Sequence, residues 1–364
     1  MKNERENQMS TSSVLNVKNI SGVNWKQVGM FVGLTIALSW LLDLVMWLKF
    51  GYGEKAALFL QLQMLIPAFV AIALQRYVFK DSPLYRKNLQ GRARWFFGLF
   101  QVFTLVFFVL VVLVSLKPEL YPMPLASVVM LILVVSMIAL VVIRALAGKE
   151  AFRKAGLSGG KAWSWPLVWL IVVAYLLLQV GLNAVLGLGY QPDLSEMAAA
   201  SGMTIPVLMV VSFVNTAMVG PLLGLLVAFG EEYGWRGYLQ GELVKMGRVR
   251  GVLLVGAVWG VWHAPVIAMG HNYPGHPVLG PIAFLVFNLI LSIFLGYLML
   301  KTGSVWQAAL MHAILNQGYA WLTFMVNTPN DPLFSFGAGV YGIGFALGVA
   351  LLLLRDRVWK QTGQ

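Results

Sequence analysis

The sequence predicts an all-α fold, a polytopic transmembrane helix bundle of about ten spans with its polar residues concentrated in the later ones. Three observations carry this. Hydrophobic residues make up 59% of the chain and charged residues only 11%, whereas a soluble domain is near a quarter charged. Apolar runs of roughly 20 residues, the length a helix needs to cross a bilayer, recur along the chain. The loops between them alternate in basicity, as the positive-inside rule requires of a multi-pass protein.

The elements follow in order. A polar, mixed-charge lead occupies residues 1–27. It is too long and too polar for the n-region of a cleaved signal peptide, so the first span is expected to stay. Spans are expected near 28–48, 56–75, 95–115, 124–146, 164–186, 204–230, 251–270, 280–300, 303–326 and 337–354. The connections "RYVFKDSPLYRKNLQGRAR", "RALAGKEAFRKAGLSGGK" and "RGYLQGELVKMGRVR" and the tail "RDRVWK" are basic. "LGYQPDLSEMAAASGMT", "HNYPGHP" and "NTPNDPLFSFGAG" hold no Lys or Arg. The alternation puts both termini in the cytoplasm of a protein expected in the plasma membrane. "LMLKTGSVW" is the shortest turn, between the eighth and ninth spans.

The net charge of +12 is therefore a matter of topology, and a nucleic-acid partner is not expected. The chain has no cysteine. Disulfides, thiolate nucleophiles, Cys-ligated zinc and iron–sulfur clusters are excluded.

Ionisable residues at membrane depth are costly, and each is a candidate functional residue. Asp43 lies near the outer end of the first span and is read as structural. Glu231 and Glu232 end the sixth span, His263 is deep in the seventh, Asn288 is mid-span in the eighth, and His312 and Asn316 are in the ninth. His271 and His276 fall in an outer loop and are read as solvated. Residues four apart share a helix face. Glu232 and Arg236 can therefore pair, which would hold Glu232 ionised, while Glu231 has Trp235 at that spacing and so a different, apolar neighbour. Two carboxylates in unlike environments form an acid/base arrangement. His312 and Asn316 are also four apart and would face one cavity. Glu231, His263, His312 and Asn316 together can activate a water and stabilise an oxyanion. Glu231, His263 and His312 would also make a set of ligands for a divalent metal such as zinc. Taken singly, the bland readings hold: an interfacial ion network for Glu231, Glu232 and Arg236, a packing histidine at 263, interhelical glue at Asn288.

Taken together, the residues resemble a family. "EEYGWR" fits Glu-Glu-x-x-x-Arg. "WGVWH" fits Phe-x-x-x-His with Trp259 in place of Phe. "FLVFN" fits Phe-x-x-x-Asn, and "HAILN" fits His-x-x-x-Asn. Four such motifs, in this order on successive late spans, resemble the CAAX-protease and bacteriocin-processing family, also called the Abi or CPBP family, over roughly residues 204–327. The resemblance implies an intramembrane endopeptidase acting on a prenylated or membrane-associated peptide. By that resemblance Glu231 would be the general base, assisted by His263. His312 and Asn316 would stabilise the oxyanion or complete a metal site. Glu232 and Arg236 would orient the first glutamate, and Asn288 would be a secondary site residue. The family has been described both as metal-dependent and as a metal-free glutamate peptidase, and the spacing here leaves both open. There is no His-Glu-x-x-His, so the chain is not a zincin. The expected organisation is a lead (1–27), N-terminal spans (28–203), the catalytic core (204–327), and a last span with a basic tail (328–364).

Glu231 is expected at the cytoplasmic end of its span. His263 lies about 12 residues into the next, roughly 18 Å along the axis, and His312 about nine residues beyond its turn, roughly 13 Å deep. One sunken site requires the sixth span to bend, and Pro221 with its neighbouring glycines offers the place. Two other classes compete. One is a catalytically idle scaffold or immunity factor that binds a peptide. The other is an ion-coupled transporter using Glu231, His263 and His312 as a proton path, which the absence of an evident inverted repeat disfavours.

Overall fold

A computed structural model describes residues 22–53, 56–89, 91–117, 119 and 123–360. Most of the polar lead and the last four residues lie outside them. The helices are α1 (Trp25–Phe50), α2 (Ala56–Ala73), α3 (Arg94–Leu116), α4 (Met123–Ala147), α5 (Lys149–Lys154), α6 (Ser164–Val185), α7 (Ser195–Ser201), α8 (Ile205–Val214), α9 (Gly220–Leu223), α10 (Leu225–Glu232), α11 (Gln240–Leu243), α12 (Arg248–Ala268), α13 (Leu279–Thr302), α14 (Val305–Met325) and α15 (Val340–Leu353). The all-α expectation is met. The described strands are β1 (Gly189–Tyr190) and β2 (Thr328–Pro329), which pair antiparallel.

Seven of the described helices are long and apolar enough to cross a membrane. The chain is an integral, multi-pass membrane protein, and the ten spans of the sequence reading are not confirmed as a count. The remaining three expected segments are helical but differ in kind. α4 qualifies only as the shorter Leu131–Ala147, and α15 has 14 residues, which reach about 21 Å against a hydrocarbon core of about 30 Å. α14 has 21 residues but carries Gln307, His312, Asn316 and Gln317, so its composition is that of an interior helix. α1 and α3 present their apolar outer faces, Leu41, Leu48, Leu105 and Phe108 among them, where lipid would lie.

The loops sort by side. β1 and β2 join two of the Lys/Arg-free loops, and His276 Nε2 lies 3.0 Å from both carboxylate oxygens of Asp331, tying in the third. On the opposite side, the Arg92 guanidinium donates to the Leu146 carbonyl and Arg248 to that of Val358, linking basic segments to one another. The Asn24 backbone N–H reaches Glu242 at 3.3 Å. Both described ends of the chain therefore meet the same basic segment.

His271 and His276 are paired rather than solvated. Tyr52 Oη is 2.5 Å from His271 Nδ1. A neutral imidazole nitrogen can accept that hydroxyl proton; an imidazolium cannot. Burial pushes His271 down to about 4 from an ordinary 6.5. Its folded-state value is lowered, so the stability it contributes is complete above pH 6.5 and lost as pH falls towards 4. The unfolding-temperature gap between wild type and H271Q should shrink across that window. A gap constant with pH would show that His271 does not titrate with folding.

Two glycine-lined faces set the packing around the later helices. In lipid, helices associate through close approach of small residues. Gly230 and Gly234 turn the same face to α2: a Cβ at Gly230 would lie 2.5 Å from the Met64 carbonyl oxygen, and one at Gly234 2.7 Å from the Pro67 carbonyl carbon. Gly256 and Gly260 do the same against α13, where a Cβ at Gly256 would lie 2.9 Å from Asn288 O and Leu289 Cα. These contacts are to backbone, which cannot rotate away. G234A should therefore destabilise by about 1–3 kcal/mol, measured by unfolding in mixed micelles; wild-type stability would mean that α2 and α10 can separate freely.

Candidate active site

The segment bearing the two glutamates does break, as the depth argument requires. α8 runs into a wide π-turn at Asn215–Val219, α9 starts with Pro221 near its N-terminus, and the chain kinks again at Gly224 before α10. Gln317 of α14 fills the space where side chains at Gly220 and Gly224 would stand. α10 then packs chiefly against α2 and α14. Phe229 stacks on Trp306 with ring centroids 4.3 Å apart, and Phe96 and Phe100 meet Phe229 edge-on. That aromatic layer fixes the helix whose next two residues are Glu231 and Glu232.

Both glutamates are buried, at 2% and 0% exposure, and so is Arg236 at 1%. The four-residue spacing does pair Glu232 with Arg236: Nη1 to Oε1 is 3.2 Å. The same carboxylate oxygen lies 2.8 Å from His312 Nδ1. An ionised carboxylate only accepts, so Nδ1 carries a proton and Nε2 is the atom left to address Glu231, whose Oε1 is 4.0 Å away. His312 thus stands between the two carboxylates, one on each ring nitrogen. The second Glu231 oxygen, Oε2, accepts from the Trp259 indole N–H at 2.6 Å.

α12 supplies Trp259 and, one turn on, His263. The His263 Nδ1 is 2.9 Å from the Trp259 carbonyl. A carbonyl cannot donate, so Nδ1 bears the proton and Nε2 the lone pair. His263 is half-buried and boxed by Trp262 and Phe284, with ring centroids at 4.6 and 4.9 Å. It counts fifteen residues from the start of α12, about 22 Å along the axis, and His312 seven from the start of α14, about 10 Å.

The structure joins Glu232, Arg236 and His312 directly, sets Glu231 4.0 Å from His312, and links Glu231 and His263 through Trp259. Two candidates stand apart. Asn288 is buried but spends its Nδ2 on the Phe284 carbonyl of its own helix, 2.8 Å away, leaving Oδ1 without a partner among the described residues. Asn316 is exposed while His312 is buried. One turn along α14, the face has passed from the buried cluster to the surface. Asp43 is 1% exposed and accepts from Gln63 Nε2 at 3.0 Å, in a separate polar seam between α1 and α2.

The indole touching Glu231 is Trp259, not the Trp235 that helical spacing suggested. Trp235 instead packs edge-on against Phe31 of α1 and Trp262 of α12, with ring centroids 5.5 and 5.7 Å apart. Sequence reasoning took Trp259 only as an aromatic substitute for Phe. The signal was present, since an indole N–H is a donor that a phenyl ring lacks.

No three His, Asp or Glu side chains among the described residues converge as metal ligands. Glu231 Oε2 is committed to the indole and His312 Nδ1 to Glu232. The donor set as arranged does not fit a metal.

The late helices of this multi-pass bundle thus hold a buried glutamate pair with a histidine between its carboxylates. Residues 213–318, which contain every residue of the cluster, match the family model of the Rce1-like type II CAAX prenyl endopeptidases. A CAAX prenyl protease 2 of Methanococcus maripaludis is 25% identical over 169 residues, covering 45% of this chain and 58% of that protein. The chain thus spans 58% of the length of the curated relative it matches. The resemblance that the four motifs suggested is borne out over this segment.

Proposed function

We propose that the chain is an intramembrane endopeptidase that hydrolyses a peptide bond in a prenylated or otherwise membrane-anchored peptide, using a water activated by Glu231. The observation that carries this reading is the separation of 4.0 Å between Glu231 Oε1 and His312 Nε2. It is too long for a hydrogen bond and suits a bridging water. Glu231 takes a proton from that water as the oxygen attacks the scissile carbonyl carbon. The carbonyl oxygen becomes the anion of a tetrahedral intermediate. On collapse the C–N bond breaks, the amine leaves with the proton Glu231 holds, and a new carboxylate remains. Glu232 holds His312 by Nδ1, and Arg236 balances the charge of Glu232. His263 and, from one turn beyond His312, Asn316 supply polar contacts to the intermediate. Asn288 acts from beyond the cluster. The basic face is taken as cytoplasmic and the membrane as the plasma membrane, so substrate enters from the cytoplasmic leaflet.

The test is incubation of the purified chain in liposomes with a fluorogenic peptide ending in a farnesylated CAAX sequence, beside the same peptide without lipid. Cleavage of the lipidated peptide alone is expected. Tight binding with no cleavage would overturn the proposal in favour of a scaffold. Cleavage of both at equal rates would overturn the lipidated-substrate class.

A further inference from the structure

The position where this chain departs from the Phe-x-x-x-His pattern touches four of the clustered side chains, Glu231, Arg236, His263 and His312. Trp259 is 2% exposed. Its indole N–H donates to Glu231 Oε2 at 2.6 Å. The Arg236 guanidinium carbon lies over its ring, 4.2 Å from the centroid. His312 meets the same ring edge-on at 5.6 Å. Its carbonyl accepts from His263 at 2.9 Å. A phenylalanine there could supply the ring face, the edge contact and the carbonyl. It could not supply the N–H.

We propose that Trp259 is a positioning residue: its indole N–H holds one oxygen of Glu231, so that the other, Oε1, faces His312 and the water between them. The inference rests on Glu231 being the base, and it adds a device that the Phe form of the motif lacks. A carboxylate free to rotate about its terminal torsion exchanges its two oxygens. Anchoring Oε2 by a hydrogen bond to a charged group removes that exchange, and such bonds are among the stronger ones. The bond also favours ionised Glu231 over the protonated acid. The other groups acting on Glu231 are His312 from α14, Glu232 from its own helix and Arg236 from the π-helical stretch Tyr233–Leu239 that follows it. α2, which packs along the other side, carries no charged side chain.

The test is W259F, which keeps an aromatic ring. Its kcat on the farnesylated peptide should fall about 10-fold with KM little changed. The acid limb of its kcat/KM profile should move to higher pH. A wild-type rate and an unmoved limb would overturn the proposal. So would a slower enzyme whose limb stays in place while its unfolding temperature drops, since packing alone does that. The contact itself is read separately from the Trp259 indole 1H–15N resonance in wild type and E231A, which also serves if W259F does not fold. A large upfield move in E231A is expected, and an unchanged resonance would overturn the proposal. The base reading is judged by E231Q instead: an inactive E231Q beside a W259F of wild-type behaviour would leave the base standing and remove only the role of Trp259.

Discussion

Replacing Glu231 by glutamine is expected to lower kcat by roughly 10²- to 10⁴-fold, the usual worth of a positioned general base, with KM nearly unchanged. Glutamine is the right size, and its carbonyl can still accept the Trp259 N–H that now ends on Oε2 at 2.6 Å. The fold should therefore survive. What is lost is a group able to take a proton from water at neutral pH. Steady-state kinetics on the farnesylated peptide separate this from a binding defect, because a residue that acts only on the transition state changes kcat and kcat/KM together. A rise in KM at constant kcat would make Glu231 a substrate-binding residue instead.

The largest stability effect is expected at Arg236. Both members of its pair with Glu232 have fully buried side chains. Such a pair adds little net stability over an apolar replacement, yet removing one partner leaves the other charged and without its counterion. R236A should cost about 3–5 kcal/mol, read by unfolding in mixed micelles. The double variant E232Q/R236L should recover most of that loss. It should not recover activity, because His312 would then rest on a neutral amide. An R236A protein within about 1 kcal/mol of wild type would mean that water reaches the pair, as it does in exposed ion pairs of small worth.

Much of this was legible in the chain itself. The long apolar runs and the alternation of basic loops foretold a helical bundle with its loops sorted by side, and the loop-to-loop ties of His276, β1–β2, Arg92 and Arg248 follow that sorting. The Glu232–Arg236 pair follows from helical spacing, and the break near Pro221 from the need to bring Glu231 inwards. The rest depends on tertiary placement. No local rule says that His312 turns towards Glu232 rather than sharing a target with Asn316, because that depends on where α10 lies against α14. The exchange of Trp235 for Trp259 beside Glu231 depends on where α1 and α12 lie, since Trp235 packs on Phe31 and Trp262 while Trp259 reaches across from α12. α14 has the length of a span, and its buried Gln307 and His312 turn towards neighbouring helices while Asn316 is exposed. The pairing of His271 with Tyr52 joins residues far apart in sequence across two loops.

The most direct test of the central claim is the mass of the product formed from the farnesylated peptide in H₂¹⁸O, with wild type and E231Q side by side. The account predicts that wild type releases a fragment whose new carboxyl terminus carries one ¹⁸O, while E231Q returns the peptide intact. An ¹⁸O-labelled fragment formed by E231Q at the wild-type rate would contradict it.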